Sequence, residues 1–163
     1  MNSMLFPMRQ QANYTRYQPG QQDGHYESFF LRANHPSRPL AFWVRYTLFS
    51  PNRHPENAIG ELWAVFFDGE TQQHVVVKQE IPLKQCVFKT QEFYVQVGDA
   101  CLQPGRLNGS ATLGEHRISW NLTFSGAAEP LFLLPLNLYD VPLPKAKSLV
   151  QPGVNPLAIV AGV

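Results

Sequence analysis

Three ionisable residues lie inside apolar stretches where a charge needs a partner: Glu27, Arg45 and Glu61. Arg45 interrupts Leu40-Ala-Phe-Trp-Val-Arg-Tyr-Thr-Leu-Phe49, and Glu61 interrupts Ile59-Gly-Glu-Leu-Trp-Ala-Val-Phe-Phe67. Leaving such a charge buried and unpaired is costly. Counted in twos along an extended chain, Arg45 shares a face with Ala41, Trp43 and Thr47, and Glu61 shares one with Trp63, Val65 and Phe67. If the two runs pair as a hairpin, Arg45 can lie opposite Glu61 with Trp43 near Trp63. Glu27, on the face of Phe29 and Leu31, can join them. An ion pair inside an aromatic wall could fix the polar head of an apolar ligand or stabilise a developing charge. It could equally do no more than set the register of two strands.

Other chemistries find little support. The histidines His25, His35, His54, His74 and His116 are not spaced in pairs, so convergent metal ligands are not indicated. Cys86 and Cys101 are too few for a disulfide scaffold and read as free thiols. There is no Gly-x-Ser-x-Gly elbow and no phosphate-binding glycine loop. The expectation is therefore no metal and no cofactor. Phe29, Phe42, Trp43, Tyr46, Trp63, Phe66, Phe67 and Trp120 could stack on single-stranded bases, but that needs interleaved cations, and Arg45 is nearly alone. With a formal net charge of +1 and scattered basic residues, no nucleic acid is expected.

The elements that would hold these residues are strands. Aromatic and β-branched residues dominate, and turn residues separate the runs. Strands are expected at about 26–34, 39–50, 58–68, 74–80, 91–98, 105–113 and 116–125, with extended segments at 131–139 and 156–163. Asp68-Gly69 and Leu113-Gly-Glu-His116 look like hairpin connections. In the last hairpin, Leu107, Gly109, Ala111 and Leu113 alternate with polar neighbours, as do Ile118, Trp120, Leu122 and Phe124. By contrast, 40–49 and 59–67 are apolar on both faces, which predicts strands covered on both sides or wrapped around a cavity. One short helix is expected at Pro144–Val150. The proline-punctuated segment Pro130–Pro144 reads as a lid or an interdomain pad.

The chain has 163 residues, 44% apolar and 15% charged, which suits one domain. Residues 1–24 read as a partly ordered N-terminal arm and 25–163 as an all-β, antiparallel barrel. The longest apolar stretch is far short of the roughly 20 residues of a spanning helix, so no transmembrane segment is expected. The N-terminus lacks the features of a secretory leader, which predicts a cytoplasmic protein. Leu157–Val163 is an apolar, strand-like run at a bare edge. It is either the closing strand of a barrel or an edge covered by a second half.

Tyr26-Glu-Ser-Phe-Phe-Leu-Arg-Ala-Asn-His-Pro36, Ala41-Phe-Trp-Val-Arg-Tyr46, Gly60-Glu-Leu-Trp-Ala-Val-Phe-Phe-Asp68 and Ile118-Ser-Trp120 together resemble a known family. It is the first half of the lipocalin-like proteins related to carotenoid 1,2-hydratase (hydroxyneurosporene synthase) and, more distantly, tocopherol cyclase. The resemblance spans about residues 25–163. It implies a lipocalin-like β-barrel, a second such barrel and an apolar, polyprenyl-type ligand. Some relatives hydrate or cyclise isoprenoids by acid catalysis without a cofactor. Proton transfer to an alkene needs a protonated carboxylic acid, a role in which Glu61 or Glu27 can be cast.

The leading expectation is a barrel that binds a hydrophobic, isoprenoid- or lipid-like small molecule. Trp43, Trp63 and Trp120 would wall the pocket, and Arg45 and Glu61 would anchor it beside Glu27. A homodimer, or a missing second barrel domain, is the expected partner. The alternatives are a hydratase or cyclase, and a structural interaction module whose interior is filled by side chains.

Overall fold

The computed structural model describes residues 11–125 and 135, together with the backbone of the strands at 130–132, 147–149 and 154–162. The fold is all-β, and its core lies between two antiparallel sheets.

The first sheet is four-stranded, in the order β1 (His25–Asn34), β2 (Leu40–Ser50), β3 (Ile59–Asp68), β4 (Gln73–Pro82). These β-branched and aromatic runs form strands 10 or 11 residues long, each bounded by proline, glycine or asparagine turns. The second sheet is six-stranded: β12 (Val154–Gly162), β9 (His116–Phe124), β8 (Arg106–Leu113), β7 (Ala100–Gln103), β6 (Val95–Val97), β5 (Cys86–Phe88). From β1 to β9 every consecutive pair is hydrogen-bonded except β4 and β5, which a single 3-10 turn at Leu83–Gln85 connects. The chain is thus an up-and-down meander divided into two sheets. A separate pair, β10 (Pro130–Phe132) and β11 (Lys147–Leu149), completes the described strands.

The expected strands are present, with differences. The run at 91–98 is a strand only at Val95–Val97. The short β5 and β7, which flank it, have too few residues to show an alternation. The helix expected at Pro144–Val150 is not formed at Lys147–Leu149, where the backbone pairs with β10 instead. Most of the Pro130–Pro144 pad lies outside the described residues. The apolar run after Val154 pairs with β9 and stands at the end of its sheet, with an irregularity in register between Pro156 and Ala158.

The inner faces interlock. Phe42, Val44 and Tyr46 from β2 and Leu62 and Ala64 from β3 meet Leu107, Ile118, Trp120, Leu122 and Phe124 from β8 and β9, all buried. Gly109 is part of that fit. A Cβ there would sit 2.4 Å from Ala100 Cβ and 3.2 Å from the Trp120 ring, so only glycine lets the indole lie against the sheet. Gly114, at φ +62°, forms the tight β8–β9 turn. Residues 11–17 fold back onto the sheets. Tyr17 is buried, the Thr15 amide donates to Lys89 O at 3.2 Å, and the Arg16 amide donates to the Glu27 carboxylate at 3.0 Å.

Candidate functional site

Period-two alternation assigns every residue of the first sheet to one of two faces. On β2 the even positions Phe42, Val44, Tyr46 and Leu48 face the core or are buried with it, so Trp43, Arg45 and Thr47 face outward. The ladder Phe42↔Phe66, Val44↔Ala64, Tyr46↔Leu62 puts Glu61, Trp63 and Val65 on the same outer face. Five rows of four residues tile that face. The central row is Phe30, Arg45, Trp63, Lys78, and the next is Ser28, Thr47, Glu61, Glu80.

The expected constellation is thereby divided. Trp43, Arg45, Glu61 and Trp63 share the outer face. Trp120 is 4% exposed and lies in the core, so it cannot form one wall with Trp43 and Trp63. Glu27 is opposite Leu48 on the inner side of β1, where it accepts from the Arg16 amide and contacts His25 Nε2 at 3.2 Å. It does not join Arg45.

Nor does Arg45 lie opposite Glu61. Its cross-strand partner is Trp63, and Glu61 stands opposite Thr47. The β2–β3 connection sets this register. Pairing Arg45 with Glu61 would place Phe49 opposite Asn57, and Asn57 belongs to the 3-10 turn Pro55–Asn57. Glu61 instead meets Lys78 Nζ at 2.7 Å, and Lys78 also contacts Glu80. The two carboxylates face each other across β3 and β4, and the ammonium between them relieves their repulsion. The bonds to Glu61, then to Glu80, raise the Lys78 pKa. Lys78 Nζ also lies 5.0 Å from the Trp63 ring centroid.

Arg45 is met by rings. Its guanidinium carbon lies 5.5 Å from the Tyr26 ring centroid and 5.8 Å from that of Trp43. Among the described residues no carboxylate pairs with it, and its Nε is buried without a hydrogen-bond partner. Cation–π contacts of this kind stabilise by about 0.5–1 kcal/mol at exposed sites. They hold the side chain down without neutralising it.

The outer face is exposed in part: Thr47 and Val65 on it are buried, whereas its aromatic residues are not. Tyr26, Phe30, Phe49, Phe67 and Val76 are between 41% and 58% exposed, and all lie on it. Only two other large apolar side chains among the described residues, Val87 and Leu113, are comparably exposed. Scattered apolar residues are normal on a surface, whereas a patch of aromatic residues on one sheet face is not. The sequence expectation that β2 and β3 are covered on both faces is therefore met on the inner side and, on the outer side, only at Thr47 and Val65.

No family model, curated protein or solved structure matches this chain. Its chemistry has to be read from the face itself. That face offers aromatic contact area, a cation without a carboxylate, and an acidic pair bridged by one lysine. Among the described residues no helix is long and apolar enough to cross a membrane.

Two further polar features belong to the core. The Tyr46 hydroxyl donates to Cys101 O at 3.3 Å, linking the sheets, and burial pushes its pKa well above the usual phenol value. Among the described residues the Trp120 indole N–H beside it has no acceptor in hydrogen-bond geometry, and its influence, toward a lower Tyr46 pKa, is the weaker one. Cys86 and Cys101 are free, and burial raises the pKa of the Cys86 thiol.

Proposed function

We propose that this chain is an interaction module that docks an apolar surface on the outer face of its first sheet. The observation that carries this reading is the set of exposed aromatic side chains on one face of a sheet whose other face builds the buried core. A ligand-enclosing cavity occludes its own walls. Here Tyr26 and Phe30 are more than half exposed, which suits an extended partner better.

A second reading keeps the hydrophobic, isoprenoid- or lipid-like small molecule and moves it from the interior to this face. Arg45 favours it, since a guanidinium that no carboxylate of the described residues pairs could take an anionic head group while Trp43 and Trp63 hold the chain. The hydratase or cyclase reading is less well supported. Acid catalysis on an alkene needs a protonated carboxyl facing an apolar ligand, and the Glu61 carboxyl faces the Lys78 ammonium instead.

The finer description of the scaffold belongs to the same proposal. An up-and-down order from β1 to β9 is the order of a lipocalin-like barrel, opened here between β4 and β5. The connectivity supports that reading of the scaffold.

Native mass spectrometry followed by organic extraction tests the proposal, because it reads assembly and any co-purified apolar molecule together. Wild type is expected to carry one or the other. Trp43→Asp and Phe30→Asp are expected to lose it while keeping the wild-type circular dichroism. A wild-type protein that carries neither would overturn the reading.

A further inference from the structure

We propose that the occupant of the outer face is a second copy of this chain, packed first sheet against first sheet about a two-fold axis parallel to β2 and β3. This rests on the docking reading above and names its partner.

The distribution of charge on the face carries the inference. The β1–β2 half holds Arg32 and Arg45 and no acid. The β3–β4 half holds Glu61 and Glu80 around Lys78, one net negative charge. The face is thus positive on one side and negative on the other.

Two-fold symmetry brings a face against itself. An in-plane axis across the strands, through the central row, would set each strand on its own counterpart. Arg45 would then face the partner copy's Arg45, and Lys78 its Lys78. An axis along the strands, between β2 and β3, reverses the strand order and keeps the rows. The positive half of each copy then covers the negative half of the other. Arg45 lies over the second copy's Trp63 and within one row of its Glu61 and Glu80. That supplies the carboxylates it lacks among the described residues.

Side-chain size follows the same rule. In this arrangement Trp43 faces Val65 of the second copy, Phe49 faces Ile59, and Phe67 faces Ala41. In these three rows a larger residue meets a smaller one, which suits two sheets stacked about 10 Å apart. Each contact occurs twice in the dimer, so one favourable pairing gives two.

Sedimentation equilibrium with charge-exchanged variants tests the proposal. Wild type is expected to be a dimer. Arg45→Glu places a carboxylate against the partner's Glu61, and Glu61→Arg places a guanidinium against its Arg45. Each is expected to weaken self-association about tenfold or more. Mixed together, these two variants restore opposite charges at both contacts and are expected to form a heterodimer close to wild type in affinity. If Glu61→Arg does not fold, as judged by circular dichroism, Glu80→Arg takes its place.

A dimer unaffected by Arg45→Glu, or two variants that fail to pair, would overturn the arrangement. A wild-type monomer carrying a co-purified apolar molecule would overturn the second copy while leaving the docking face standing. A wild-type monomer with nothing bound would overturn both.

Discussion

Lys78 Nζ sits 2.7 Å from the Glu61 carboxylate, on the diagonal between neighbouring strands of the first sheet. This contact fixes the electrostatics of the outer face. It occupies the carboxylate that Arg45 would otherwise have used, and it separates Glu61 from Glu80. The consequence is a face whose two halves carry opposite charge.

Removing the ammonium should reveal that repulsion. Lys78→Met is expected to lower stability only slightly, by up to about 1 kcal/mol, because the pair is partly exposed and screened. The Lys78 pKa is raised in the folded protein, so its contribution is complete below the usual lysine value and is lost as pH rises through the raised one. Thermal midpoints of wild type and Lys78→Met should therefore differ at neutral pH and converge at strongly alkaline pH. A gap that persists unchanged would mean that packing of the lysine stem on Trp63, not charge, is what was lost.

Tyr46 should set a separate alkaline limit. Burial raises its pKa, so above the usual phenol value the unfolded chain ionises while the folded one keeps its proton. The unfolded state then binds fewer protons, and stability falls as pH rises. Tyr46→Phe is expected to lose about 1 kcal/mol at neutral pH with the bond to Cys101 O, and to show a flatter decline above the phenol value. Urea titrations of both proteins across that range check this, and parallel declines would rule it out.

How much of this was legible beforehand depended on alternation. In β8 and β9, polar and apolar residues alternate, so the inward set Leu107, Ile118, Trp120 and Leu122 could be read directly, and all four are buried. In β2 and β3 both faces are apolar, so nothing in the pattern says which turns inward. The even positions won because Val44, Tyr46, Leu62 and Ala64 mesh with the second sheet, a long-range fact. The Arg45 register was hidden for a related reason, since the turn at Pro55–Asn57 decides it. One sequence signal does point to the partner of Glu61. On β4, Lys78 alternates with Glu80, and it is the only lysine or arginine on that strand, which makes it the natural partner for a carboxylate on β3.

Gly109 should tolerate no side chain. A Cβ would stand 2.4 Å from Ala100 Cβ, and φ there is +152°. Gly109→Ala is expected to cost about 1–3 kcal/mol by overpacking. Ala100→Gly removes the nearer of the opposing carbons, so the double variant should regain part of that loss. Chemical denaturation of the single and double variants checks the coupling, and strictly additive losses would refute the close approach.

The three tryptophans should be separable by their light. Trp120 lies between the sheets at 4% exposure, whereas Trp43 and Trp63 line the outer face. A Trp43→Phe/Trp63→Phe variant retains only Trp120, and its emission is expected to be blue-shifted and poorly quenched by acrylamide. Trp120→Phe retains the outer pair. In the Arg45→Glu background, diluted until monomeric, that pair should emit further to the red and quench readily, and in the proposed wild-type dimer it should be shielded. The change on dissociation should therefore belong to Trp43 and Trp63 alone. A shift carried by Trp120 would mean that dissociation opens the core rather than uncovering the outer face, and the division of the sheet into a packed side and a docking side would fail.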